Sequence, residues 1–123
     1  MCIATGTKGV IAFYSSMDLL HWQYESEFGS GYGCHNGVWE CPDLFKLTTD
    51  NGEEKWVLIA SINPGGPNGG SATQYFIGNF DGNKFTCEDK PGTIKWIDWG
   101  TDNYAGVTWT NMPENDGRTV FIG

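Results

Sequence analysis

The chain is short of positive charge: seven Lys and Arg stand against fifteen Asp and Glu, a formal net of −8. That balance argues against nucleic acid and against anionic membrane surfaces as partners, because both are bound through basic patches. A neutral partner such as a carbohydrate is compatible with it. Long hydrophobic runs are missing as well; none would span a bilayer, so no membrane insertion is expected. Met1-Cys2-Ile3-Ala4 has neither the basic leader nor the long apolar core of a signal peptide. The chain opens inside a strand pattern and stops inside one, and the expectation is a fragment of a longer polypeptide.

Several chemistries lack their motifs. His35 with Cys34 and Cys41 has no Cys-x-x-Cys pairing and no evident fourth ligand, so no metal site and no cofactor are expected. A Ser-His-Asp hydrolase would need a Gly-x-Ser-x-Gly elbow, which does not occur. The stretch Asn63 to Gly70 is rich in glycine, yet it lacks the Lys-Ser/Thr ending and the following helix of a phosphate-binding loop. It reads as a wide surface connection. The four cysteines are not spaced as a small disulfide scaffold. Free thiols packed as small hydrophobes are expected, with a Cys34–Cys87 bridge as the alternative, and the compartment does not follow from cysteine usage.

What is abundant is glycine (18 residues) together with Trp, Phe and Tyr, in a chain of 123 residues. That profile belongs to an all-β domain of short strands and tight turns. Strands are expected at 1–5, 9–15 and 22–28, with a single helical turn at Ser16-Met17-Asp18-Leu19-Leu20 capped by Ser15 or Ser16. A second set follows at 38–48, 55–62, 73–79 and 84–88. Its hairpin signals are Asp50-Asn51-Gly52 and Asp81-Gly82-Asn83. A third set is expected at 105–111 and 118–122, around Glu114-Asn115-Asp116-Gly117. Four-stranded antiparallel meanders of about fifty residues have the pattern of propeller blades. On that reading 1–36 is a partial blade, 37–92 a complete one and 93–123 the start of a third. Periodicity alone leaves a β-sandwich open.

One stretch carries the chemistry: Gly37-Val38-Trp39-Glu40-Cys41-Pro42-Asp43-Leu44-Phe45. Glu40 lies between a large aromatic and a thiol, and apolar surroundings favour the protonated form of a carboxyl, which is what a general acid requires. The plainer readings are a solvated edge glutamate or a buried one paired with an arginine. Strand alternation sets Glu40 and Pro42 on one face, with Trp39, Cys41 and Asp43 on the other. Asp43 is therefore no partner for Glu40 unless a bulge intervenes, and is expected to bond to backbone or to an arginine. Trp39 is read as core before sugar platform.

This stretch resembles the acid/base motif of glycoside hydrolase family 32, the invertases, levanases and inulinases, whose heart is Glu-Cys-Pro followed by Asp-Leu and an aromatic. The likeness extends to Phe13-Tyr14-Ser15-Ser16 with Asp18-Leu19 and Trp22, and to Tyr24-Glu25-Ser26-Glu27-Phe28. It continues through Trp56-Val57-Leu58-Ile59, Asn63-Pro64-Gly65-Gly66 and Gly70-Ser71-Ala72-Thr73-Gln74-Tyr75-Phe76. It ends with Asp102-Asn103-Tyr104-Ala105-Gly106-Val107-Thr108-Trp109 and Phe121-Ile122-Gly123. The resemblance implies a five-bladed β-propeller followed by a C-terminal β-sandwich, with the other blades supplied by the remainder of the polypeptide. It implies hydrolysis of β-linked fructose in fructans or sucrose with retention, in a protein that is extracellular or periplasmic. Retaining glycosidases place two carboxyl groups about 5–5.5 Å apart, one nucleophile and one acid/base. By correspondence Glu40 is the acid/base, Cys41 adjoins it, and Asp102 and Tyr104 bind sugar beside it. Asn103 stands where the family usually has phenylalanine. The family's Asn-Asp-Pro nucleophile motif and Arg-Asp-Pro motif are both absent from this chain, which alone is expected to be inactive. The rivals are a fructosyltransferase of the same fold and a non-catalytic, lectin-like sugar-binding propeller.

Overall fold

The computed structural model describes residues 1–113 and 115–123. Nine strands form three antiparallel sheets among these residues. The first holds β1 (Cys2–Ala4), β2 (Ile11–Ser15) and β3 (Gln23–Phe28); a 3-10 turn, Gly6–Lys8, joins β1 to β2. The second is a meander of β4 (Val38–Thr48), β5 (Glu54–Asn63), β6 (Ala72–Phe80) and β7 (Phe85–Cys87). The third is a short pair, β8 (Val107–Thr108) and β9 (Phe121–Ile122). The expected strands are all present in order.

β5 explains how the layers stack. Val57 to Ile62 are buried without interruption, so both faces of this strand are covered. Leu58, Ala60 and Ile62 point into a core shared with Ile11, Phe13 and Phe28 of the first sheet and with Trp39, Phe76 and Phe85. The alternate residues Val57 and Ile59 face a hollow walled on its far side by Ile97, Thr108, Thr119 and Phe121. The period of two along one strand thus separates two packing layers. Aromatic contacts bind the first layer: Phe28 meets Phe76 and Phe85 edge-on, with centroids 4.9 and 5.0 Å apart.

Two expectations need correction. Residues 16–20 form no helical turn. The Ser16 hydroxyl accepts from the Leu19 amide at 2.8 Å, and Asp18 Oδ1 accepts from Leu20 and His21 at 2.9 and 2.8 Å. These side chains take the amides that a helix would use, and Leu19 has φ +62, which ends any helical path. The strands expected at 105–111 and 118–122 shrink to two residues each; in the first, Ala105 (φ +54) and Asn111 (φ +57) turn the chain out of the extended region at its two ends. Glu114, part of the turn read between them, lies outside the described residues. All four cysteines are free thiols.

Glycine at 37 has a specific reason: a Cβ there would sit 1.8 Å from the carbonyl oxygen of Pro64. Only a residue with no side chain lets the start of β4 lie against that loop, whose Asn63–Pro64 peptide is cis.

Candidate active site

Glu40 sits early in β4, half-buried, directly opposite Ser61 of β5. Ser61 in turn is paired with Thr73 of β6. Glu40, Ser61 and Thr73 therefore form one polar row across three strands, on the face turned away from the aromatic core. Trp39, on the other face, is fully buried between His35 and Phe76, with ring centroids 5.0 and 5.6 Å away, and its Nε1 donates to the Cys34 carbonyl at 2.7 Å. It is a core residue and no sugar platform.

A bulge follows Glu40. Glu40 pairs with Ser61 while Asp43 pairs with Ile59, so Cys41 and Pro42 together oppose Ala60. Cys41 takes φ +46, the left-handed region in which a bulge is usually occupied by glycine. The extra residue reverses the expected facing of Asp43. In an unbroken strand its carboxylate would enter the aromatic core; instead it shares Glu40's face. Asp43 Oδ2 accepts from the Thr108 amide at 2.8 Å and from the Thr108 hydroxyl at 2.6 Å, while Oδ1 accepts from the Leu44 amide at 2.9 Å. The expected bonding to backbone is there, and the arginine is not its partner.

The segment 102–105 lies across the polar row. Its path is set by two isolated bridges, from Gln74 of β6 to Trp96 and from Ser71, just before β6, to Asp102. The Ala105 amide donates to Ser61 Oγ at 2.9 Å, and Thr73 Oγ1 donates to Asn103 Oδ1 at 2.5 Å. Between these two anchors, the Tyr104 hydroxyl donates to Glu40 Oε2. That bond to a carboxylate, followed by partial desolvation, pushes the Tyr104 phenol up to about 12 from its ordinary 10.0.

Of the four residues singled out from sequence, the structure brings Glu40, Cys41 and Tyr104 together. Asp102 is adjacent in chain but exposed, and its carboxylate accepts from the Thr101 hydroxyl at 3.3 Å rather than contacting Glu40 or Tyr104. It lines an open hollow of about 510 Å³ with Asp98, Gly100, Thr101, Asn103 and Gly123. Ser61, Thr73, Asp43 and Thr108 were missed as parts of the site. Ser61 and Thr73 do leave a signal, as hydroxyls embedded in apolar strands where each must find a partner. Among the described residues, no three His, Cys, Asp or Glu gather as a metal cluster. His35 is instead stacked on Trp39, with Nε2 near the Gly29 and Tyr32 carbonyl oxygens. No helix among the described residues is long and apolar enough to cross a membrane.

Comparison with known proteins gives a match over residues 1–123 to the model of the glycosyl hydrolases family 32 N-terminal domain. The chain belongs to glycosyl hydrolase family 32. It is 45% identical over 125 residues to the levanase of Bacillus subtilis (strain 168), covering 100% of this chain and 18% of that protein. It is 47% identical over 121 residues to the extracellular exo-inulinase inuE of Aspergillus niger, covering 92% of this chain and 22% of that one. Among solved structures, a fructofuranosidase from Schwanniomyces occidentalis complexed with fructosylnystose superimposes with a TM-score of 0.84 at 33% identity, over 93% of this chain and 22% of that one. The exo-inulinase of Aspergillus awamori gives 0.80 at 33% identity, over 98% and 29%. This family-32 chain thus spans about a fifth of the length of the curated relatives it matches. It is an all-β portion of a five-bladed propeller, with β4–β7 as a four-stranded blade.

Proposed function

We propose that this chain is the acid/base-bearing part of a retaining glycosidase that cleaves β-fructofuranosyl linkages in fructans or sucrose. The observation that carries the reading is the position of Glu40: half-buried, facing away from the core, and held at one oxygen by a tyrosine hydroxyl. A bond to Oε2 fixes the carboxyl plane and leaves Oε1 for a substrate. In the first step Glu40 donates its proton to the departing glycosidic oxygen while a carboxylate from elsewhere in the polypeptide attacks the anomeric carbon. In the second it takes a proton from water, which releases the fructosyl group. The phenol of Tyr104 stays protonated through the neutral range and so remains a donor in both steps. On this reading Asp102, exposed in its hollow with Asn103, accepts from sugar hydroxyls. Cys41 shapes the bulge and borders the sugar.

The remaining catalytic carboxylates, the other blades and a C-terminal β-sandwich belong to the rest of the polypeptide, and the chain alone is inactive. Residues 1–36, 37–92 and 93–123 correspond to a partial, a complete and a partial blade. The complete protein works outside the cytoplasm, where polymeric fructans are met, as the name of the extracellular exo-inulinase relative supports.

The test is Glu40→Gln in the complete polypeptide, which keeps shape and removes the transferable proton. Turnover of inulin, levan and sucrose should fall by about 10²–10⁴-fold, the usual worth of a positioned general acid/base. Turnover equal to that of the parent would remove Glu40 from the mechanism.

A further inference from the structure

The polar row continues beyond the acid/base. Ser61 is fully buried and Thr73 is 1% exposed, yet both present hydroxyls to the same face as Glu40. Their oxygens are 3.5 Å apart, at the outer edge of a hydrogen bond. Each has a better partner in the segment above. Ser61 Oγ takes the Ala105 amide at 2.9 Å, and Thr73 Oγ1 gives its proton to Asn103 Oδ1 at 2.5 Å. The two residues flanking Tyr104 are thus pinned to adjacent strands, and the tyrosine between them meets Glu40 on the third strand. The Ser61 anchor uses backbone and would survive any side chain at 105. The Thr73 anchor depends on an acceptor in the side chain at 103.

We propose that Asn103 is a positioning residue: through Thr73 it holds segment 103–105 in register over the row, and so keeps the Tyr104 hydroxyl on the Glu40 carboxylate. Leucine at 103 leaves the buried Thr73 hydroxyl with only the long contact to Ser61 and lacks the aromatic ring that would fill the place in relatives with phenylalanine there, so one end of the segment is freed. The tyrosine then samples positions off Glu40. The bulge supports the same register from the other side, because Asp43 clips Thr108 four residues beyond Tyr104.

The kinetic part of the test rests on the glycosidase reading; the spectroscopic part does not. In the complete polypeptide, Asn103→Leu should lower kcat on inulin or levan about tenfold with KM within about twofold, as expected when a transition-state contact is misplaced. Asn103→Asp keeps an oxygen acceptor for Thr73 and should restore most of the loss. Tyr104→Phe should abolish the effect, so that Asn103→Leu added to Tyr104→Phe costs nothing further; a general packing role would give additive losses instead. Independently, the ionisation of Tyr104, read by ultraviolet difference titration against Tyr104→Phe, should move from about 12 back towards 10.0 in Asn103→Leu. If Asn103→Leu fails to fold, Thr73→Val removes the donor from the other side and is read the same way. Additive losses, or a Tyr104 titration unchanged in the variant, overturn the proposal. A parent protein with no activity on any fructan or on sucrose defeats the glycosidase reading, and the titration then still decides the role of Asn103.

Discussion

At the scale of single residues, the pairing of Tyr104 with Glu40 decides what the site can do. A phenol donating to a carboxylate holds its own proton more tightly. The folded-state value of about 12 lies above the ordinary 10.0. The native state therefore binds this proton more tightly than the unfolded state does. The contribution of the pair to stability is fully present below pH 10 and is lost as pH rises from there to about 12. Within the neutral range no such loss arises from this tyrosine. Removing the hydroxyl is different, because it frees the Glu40 carboxyl to rotate. Tyr104→Phe in the complete polypeptide should lower kcat on fructans by about tenfold, the low end for a bond to a charged group, and lower the melting midpoint modestly at any pH below 10. Steady-state kinetics beside a thermal melt check it; an unaltered kcat would show that the pair is ornamental to catalysis.

At the scale of the element, β4 is both the edge of its sheet and the carrier of Glu40. A long edge strand is a template for unwanted pairing, and the bulge with Pro42 breaks it where Glu40 lies. The left-handed Cys41 is held there at an expense of about 1–3 kcal/mol for a non-glycine residue, and the Asp43–Thr108 clip is the interaction that fixes the far side. Asp43→Ala should destabilise the complete polypeptide by about 1–3 kcal/mol, since the Thr108 amide and hydroxyl both lose a charged acceptor. Urea unfolding measures it, and a shift below a few tenths would mean that the bulge stands without the clip. The same strand shows what was legible in the chain beforehand. Its bounds followed from Gly37 and the Asn51-Gly52 turn, and the alternation from Trp39 to Glu40 was right. The facing of Asp43 was not, because one inserted residue leaves composition untouched and flips everything after it. The clue was present in hindsight: an aspartate placed by strict alternation in an aromatic core is itself evidence for a bulge. Ser16 and Asp18 are a comparable case. Their capping chemistry was readable, but whether a helix follows depends on competition between side chains and carbonyls that propensity does not resolve.

At the scale of the whole molecule, the second sheet is covered on one face by the first sheet and only loosely on the other. A hollow of about 340 Å³ lined by Phe45, Leu47, Val57, Ile59, Tyr75, Ile97 and Phe121 lies between the blade and the β8–β9 pair. Elsewhere on the surface, Trp99, Val107, Trp109 and Ile122 are more than half exposed. Met17, Leu19 and Leu20 form a second apolar point at the tip of the β2–β3 connection, each at least 74% exposed. Apolar surface gathered in this way drives association unless more protein covers it. The net charge of −8 opposes close approach but is screened by salt over about 8–10 Å. The isolated 123-residue chain should therefore self-associate, more strongly as salt is raised, because added salt removes the repulsion and leaves hydrophobic burial in place. Sedimentation velocity across a range of chain and salt concentrations reads this directly. A monomer at every concentration, with a sharp melt independent of dilution, would mean that the two layers suffice by themselves and that the open hollow needs no further blade to close it.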